Sequence, residues 1–387
     1  MPTLYVATPG FEEALISELA RLRAPVTSRT LVPGIVVMDA PDANGEAPPV
    51  DPTFARQVLP SASLVTGASV HALAEAAYLA VEGAIDSWPG PFTLQAFPPP
   101  DAPAADAPTT LPGARLAHTR VRAARQQDRS DKPAPLKRAH DGLGSRVTLV
   151  AQELLTILGE RRKRASRRHA AEVAPGTFGA AVLVVQLLLV ARERLYISAD
   201  APRPLPRGGF DIAPWTAGAA AVADDRAPPS RAYQKLEEAF QWMGAAPRAG
   251  ETCVDLGAAP GSWTFVAARR GARVLAVDRA ALAPEVSKLP GVSAVAGNAF
   301  TYEPPRPVDW LLSDIVCEPA RALALVDEWL TALRCRNLVV TIKFKGRDQY
   351  GALAALTPIF ERTAPAFARV KQLAHNKNEV TVMVRRT

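Results

Sequence analysis

Val254-Asp255-Leu256-Gly257-Ala258-Ala259-Pro260-Gly261-Ser262-Trp263 reads as a strand ending at Gly257, a turn of small residues, and a helix beginning near Ser262. Glycines in such a turn let a ligand approach the backbone closely. Asp278 stands twenty-one residues after Gly257 and closes a second apolar stretch, 274–277. A carboxylate in that place can accept both hydroxyls of an adenosine ribose. A dinucleotide enzyme uses the same geometry, but this stretch is not GxGxxG. Further strands are expected at 310–313, 338–344 and 380–384, with helices between them, notably after Pro260 and over 319–333. That alternation argues for an α/β fold with a doubly wound, mostly parallel sheet, Rossmann-like in its strand–turn–helix unit.

Upstream, residues 3–7 and 35–38 read as strands. Helical spacing covers 11–22, with Leu15, Leu19 and Leu22 on one face, and 72–84. This makes a small α/β unit over 1–85. Residues 98–112 are rich in Pro, Ala and Asp and read as a loop; 115–122 alternates like a strand. Residues 143–158 read as a helix ending in the run RRKRASRR, and 180–190 with 195–198 as two strands paired around Arg192-Glu193. A second unit is therefore placed at 86–215, a linker at 216–229, and the main domain at 230–387. Pro228-Pro229-Ser230 is a helix start signal, with Ser230 as its expected N-cap.

The 387 residues carry a net charge of +7, and 48% of them are hydrophobic, enough for real cores. The charge is concentrated. Residues 115–170 hold fifteen Lys/Arg against five Asp/Glu, so the rest of the chain is slightly acidic. A focused basic face suits a polyanion, of which nucleic acid is the commonest, although a solvated helix face accounts for the same charge. Cys253, Cys317 and Cys335 form no CxxC pair, which implies neither a disulfide framework nor a zinc site. No metal is expected. The N-terminus lacks the basic and apolar regions of a signal peptide, and the longest apolar run, 180–191, is too short for a bilayer. A cytoplasmic chain with no membrane contact is the expectation, and a monomer is the default.

The main domain resembles the FtsJ-like ribose 2′-O-methyltransferases. Asp-Leu-Gly-x-x-Pro-Gly is their cofactor loop, and their Lys-Asp-Lys-Glu tetrad finds a match at every member. Ser230-Arg231-Ala232-Tyr233-Gln234-Lys235 supplies Lys235, Leu312-Ser313-Asp314-Ile315 supplies Asp314, Val340-Thr341-Ile342-Lys343-Phe344 supplies Lys343, and Asn378-Glu379-Val380 supplies Glu379. The resemblance implies S-adenosyl-L-methionine as cofactor, with Ser230, Gly257, Ala259, Pro260, Gly261, Ser262, Trp263, Asp278, Asn298 and Asp314 as its contacts. Asn298 stands where the family often has Asp; an amide can still read the adenine edge. Trp263 taken alone is as readily a core residue. Lys343 is the implied base. A ribose hydroxyl is a poor nucleophile, so its attack on a sulfonium methyl needs in-line placement and removal of a proton. Burial, Lys235 and the sulfonium would favour a neutral Lys343 amine, while Asp314 and Glu379 would oppose that and orient it.

Residues 3–13, Arg56-Gln57-Val58-Leu59-Pro60 and 230–240 extend the resemblance to the ribosomal RNA large subunit methyltransferase M family. Those proteins join a ferredoxin-like unit and a THUMP RNA-binding domain to the FtsJ-like domain and methylate a cytidine ribose of 23S rRNA. The match is close over 230–261 and 379–386 and sparse over 87–229. Structured RNA, namely large-subunit rRNA, is thus the implied partner, with Arg161, Arg162, Lys163, Arg164, Arg167 and Arg168 as its expected phosphate contacts. Three alternatives stand beside this reading. They are a 2′-O-methyltransferase of another structured RNA such as tRNA, a non-catalytic RNA-binding protein that keeps the cofactor pocket, and a nucleotide-dependent oxidoreductase, which the missing GxGxxG and Pro260 disfavour.

Overall fold

The structure is a computed structural model, and it describes residues 1–23, 26–39, 48–100, 142–171, 173 and 177–386. Three sheets follow one another along the chain. The expected strand at 115–122 and nearly all of the 98–112 loop lie outside the described residues.

The first sheet is antiparallel. It comprises β1 (Thr3–Val6), β2 (Ser28–Val32), β3 (Ile35–Met38) and β4 (Gln57–Leu59) in the order β2-β3-β1-β4, with α1 (Glu12–Leu22) joining β1 to β2. Leu15 and Leu19 are the buried residues of α1, whereas Leu22, expected on the same face, is 46% exposed.

The second sheet is formed by β5 (Ser63–Thr66), β6 (Phe92–Phe97), β7 (Leu183–Ala191) and β8 (Arg194–Asp200) in the order β5-β8-β7-β6. β7 and β8 pair antiparallel, as expected around Arg192-Glu193; β6 and β7 run parallel. Helices α2 (Val70–Ser87) and α3 (Leu143–Arg161) bury Leu73, Val81, Val150 and Leu154 against the sheet, and the short α4 (Lys163–Ser166) follows. Ser69 caps α2 by accepting a hydrogen bond from the Ala72 amide at 3.0 Å. Because β5 pairs with β8 and α2 packs on this sheet, the change of sheet falls between β4 and β5. The expected division after residue 85 does not coincide with it.

The third unit begins with α5 (Tyr233–Met243). Its seven strands are β9 (Thr252–Leu256), β10 (Arg273–Asp278), β11 (Val292–Ala296), β12 (Val308–Ser313), β13 (Cys335–Lys343), β14 (Phe367–Lys371) and β15 (Glu379–Arg385). They run in the order β11-β10-β9-β12-β13-β15-β14, and β15 alone runs against the direction of the other six. Helices α6 (Ser262–Arg269), α7 (Pro284–Ser287), α8 (Pro319–Thr331) and α9 (Leu356–Thr363) connect them. This is the Rossmann-type α/β arrangement expected from the loop. The strand order reverses between β9 and β12, so a crevice opens at their carboxyl ends, where α/β sheets bind ligands.

α5 starts two residues later than expected, with Ala232 at its N-cap position. Ser230 is not the cap. Its hydroxyl lies 2.7 Å from that of Ser262, which ties the segment before α5 to the start of α6.

Candidate active site

The turn after β9 is shaped by two glycines. Gly257 has φ +74°, and a Cβ there would come within 3.0 Å of Ile315; Gly261 has φ +116°, and a Cβ would meet Val286 at 2.8 Å. Both positions need the left-handed conformation, and both neighbours are too close for a side chain. The Gly257 amide donates to the Val277 carbonyl at 2.9 Å, which holds the turn against β10.

Beyond this turn lies an open cavity of about 330 Å³, lined by Gly257, Ala259, Asp278, Asn298 and Asp314 among others. Asp278, at the tip of β10, accepts from the amides of Ala259 (3.0 Å) and Ala280 (2.9 Å), one with each oxygen. Each oxygen keeps a lone pair for a further donor. Asn298 fixes its own turn by accepting from the Phe300 amide at 3.2 Å. Arg321 stacks its guanidinium 3.8 Å from the centroid of Phe300, another lining residue.

The other five expected cofactor residues are placed differently. Ser230, Pro260, Gly261 and Ser262 shape the turn and the start of α6 without lining the cavity. Trp263 is 3% exposed, packs in the core beneath α5, and donates its indole N–H to the Ala232 carbonyl at 2.8 Å. Its place is structural, because its one polar atom is already satisfied inside the protein. A larger cavity of about 480 Å³ lies elsewhere, between α1, the loop at Leu205–Gly208 and α9, away from these residues.

Lys235, Asp314, Lys343 and Glu379 meet around Asp314, which lines the 330 Å³ cavity, although they come from α5, the residue after β12, the end of β13 and the start of β15. Lys235 Nζ donates to both Asp314 oxygens at 2.8 Å and lies 3.0 Å from Glu379 Oε1. Lys343 Nζ donates to the Asp314 main-chain carbonyl at 2.7 Å and stands 2.9 Å from Asp314 Oδ1 and 3.8 Å from Glu379 Oε2. Lys343 and Glu379 are direct cross-strand partners, so the β13–β15 register sets their spacing.

Burial of Lys235 favours its neutral form, but the Asp314 and Glu379 carboxylates outweigh it and hold its pKa above the ordinary lysine value. Asp314 shows the converse. Burial works against its charge, yet Lys235 and Lys343 hold its carboxyl below the usual range. Both groups are therefore ionised at neutral pH. Of the two lysines, Lys343 has the more accessible side chain, 22% against 10%.

Several residues of the site were not candidates from the sequence. Thr341 donates its hydroxyl to Asp314 Oδ1 at 2.6 Å. Asp255, inside the decisive stretch, is buried and accepts from Thr264 at 2.6 Å. Burial pushes its pKa up to about 7 against that hydrogen bond, and the nearby Asp314 and Asp278 charges add to the rise. A carboxylate at a predicted strand end inside a ligand turn is the signal that could have found it. Tyr350 donates to Asn378 Oδ1 at 2.7 Å, beside Glu379; nothing in the local sequence marks it.

The six expected RNA-contacting cations divide into two groups. Arg161 forks onto Glu75 (2.6 and 2.9 Å) and Arg162 reaches Glu82 (3.0 Å) and Asp86 (2.8 Å), all on α2. Arg168 donates to the Ile85 carbonyl at 2.8 Å. Lys163, Arg164 and Arg167 are exposed and form no ion pair among the described residues. The basic stretch before residue 141 lies outside the described residues. Among those described, no helix is long and apolar enough to cross a membrane, and no cluster of His, Cys, Asp or Glu could hold a metal ion.

Residues 228–370 match the family model of the FtsJ-like methyltransferases. The chain is 35% identical over 179 residues to ribosomal RNA large subunit methyltransferase M of Azoarcus sp. strain BH72, covering 44% of this chain and 49% of that protein. It is 38% identical over 185 residues to the protein of the same name from Pseudomonas syringae pv. syringae, covering 44% and 51%. The aligned region thus spans about half the length of these relatives. Among solved structures, TrmN from Thermus thermophilus aligns at 14% identity with a TM-score of 0.33, over the whole of both chains.

Proposed function

We propose that this chain transfers the methyl group of S-adenosyl-L-methionine to a ribose 2′-hydroxyl of structured RNA, specifically a cytidine of large-subunit (23S) rRNA in the cytoplasm. The observation that carries the reading is the placement of the Lys343 amine. It is held against Asp314, which lines the 330 Å³ cavity, and is faced by Glu379.

The cavity suits the cofactor. The free lone pairs of Asp278 would take the ribose hydroxyls, Asn298 the adenine edge, and the bare backbone at Gly257 admits close approach. When bound, the sulfonium supplies an activated methyl group. Lys343 acts on the other reactant. In its neutral form the amine has two N–H donors, which match Asp314 O and Asp314 Oδ1. Its lone pair is then left for the hydroxyl proton. Lys235 keeps Asp314 ionised and bridges it to Glu379, so the amine is oriented before substrate arrives.

The first two sheets take the place of the ferredoxin-like and THUMP units of the related family. Lys163, Arg164 and Arg167 are then the phosphate-contacting cations, since Arg161 and Arg162 are already neutralised. The deciding experiment is transfer of labelled methyl from S-adenosyl-L-methionine to RNA from cells lacking this gene, with the 2′-O-methyl sites mapped. One labelled cytidine in 23S rRNA is expected. Label confined to small RNA would replace the substrate, and absence of label would overturn the reading.

A further inference from the structure

Lys343 and Glu379 sit at the last rung of the β13–β15 ladder, where strand ends fray. In this protein the rung is closed one residue further out. The Phe344 amide donates to the Asn378 carbonyl at 2.9 Å. The Asn378 side chain returns a hydrogen bond to the Phe344 carbonyl at 2.8 Å and accepts one from the Tyr350 hydroxyl at 2.7 Å.

Tyr350 is itself seated by rings from two units. Its centroid lies 4.9 Å from Phe344, edge-on, and 4.9 Å from Phe54, which precedes β4; Phe54 stacks on Phe11 at 6.0 Å. Arg347, three residues before Tyr350, pairs with Glu13 at 2.6 Å and donates to the Gly10 carbonyl at 2.9 Å. The segment that carries Tyr350 is therefore pinned by the first unit.

We propose that Tyr350 and Asn378 are positioning residues for the Lys343–Glu379 pair, and that the first unit seats this brace through Phe54. The first unit thus contributes to turnover as well as to any binding of RNA. The catalytic part of this inference rests on the function proposed above. A base must stand within a fraction of an ångström of its place, and an error of 1 Å costs on the order of a hundredfold in rate. The brace supplies that precision at a rung that has no further strand pairing to hold it.

Tyr350→Phe in the full chain removes one hydroxyl and keeps the ring. Amide hydrogen exchange at Phe344 should become faster. kcat should fall about tenfold, with KM for S-adenosyl-L-methionine and RNA affinity unchanged. Asn378→Ala should reproduce both effects, and the double variant should be little worse than either. Unchanged Phe344 exchange in both variants would overturn the brace, whatever the enzyme's substrate. Faster exchange with unaltered kcat would overturn the positioning role. Failure of the wild-type chain to methylate any RNA would sink the functional reading instead, and the exchange measurement would still decide the brace.

Discussion

Two cation–carboxylate pairs in this molecule have nearly the same length and different consequences. Lys235 meets Asp314 at 2.8 Å with side chains only 10% and 17% exposed; Arg161 meets Glu75 at 2.6 Å with 45% and 25%. Around Lys235 the low-dielectric surroundings magnify every charge, so the four tetrad groups behave as one unit. Around Arg161 water screens the pair, and its main effect is to occupy a cation that could otherwise meet a phosphate. Distance alone does not tell a functional ion pair from a surface one. Burial and the number of shared partners do.

The largest test of this contrast is Lys343→Ala. Methyl transfer should fall by roughly three orders of magnitude, in the range of lost general-base catalysis. S-adenosyl-L-methionine binding, measured by calorimetry, should stay nearly unchanged. Substantial retained turnover would remove Lys343 from the base role.

Next comes Asp314→Ala, which strands two lysines beside Glu379. Breaking a buried pair costs about 3–5 kcal/mol, to be read by urea unfolding. The pH dependence has a defined sign. The folded pKa of Asp314 is depressed, so its stabilisation is present above the ordinary carboxylate value near 3.9 and is lost as pH falls through the lower folded value. The folded pKa of Lys235 is raised, so its stabilisation is present below about 10.4 and is lost as pH rises through the higher folded value. A variant as stable as wild type in mild acid would break the comparison at its buried end.

The smallest effects are expected at the exposed end. Joint replacement of Lys163, Arg164 and Arg167 by Ala should weaken RNA binding and lower the salt slope by about 2. Arg161→Ala should leave that slope unchanged. Equal slopes for the two variants would erase the distinction between free and neutralised cations.

The sequence was most informative where structure is local. The turn after β9, the ends of β10 and β12, α8 and the β7–β8 pair follow from periodicity and turn chemistry within short windows. The four tetrad residues were named through the family resemblance, since a lysine on a helix or a glutamate heading a strand carries no local mark of function. β14 was missed, since the charged Arg369 and Lys371 break up its apolar pattern. Both are buried there: Arg369 forks onto Asp51 at 2.9 Å, and Lys371 donates to the carbonyls of Pro52 and Ala55 at 2.7 and 2.9 Å. β11 was missed because, as an edge strand, it is only partly buried and carries a weak apolar pattern.

Short windows of sequence thus carried the glycine turn after β9 and its Asp278 partner, both encoded by neighbours a few residues away, while the four clustered side chains were reached through the family resemblance. Only the tertiary structure decided that Trp263 is core, that α2 neutralises Arg161 and Arg162, that β5 belongs to the second sheet, and that Tyr350 reaches Asn378. Those outcomes depend on which distant surfaces pack together, and packing between residues far apart in the chain leaves no periodic mark on either of them.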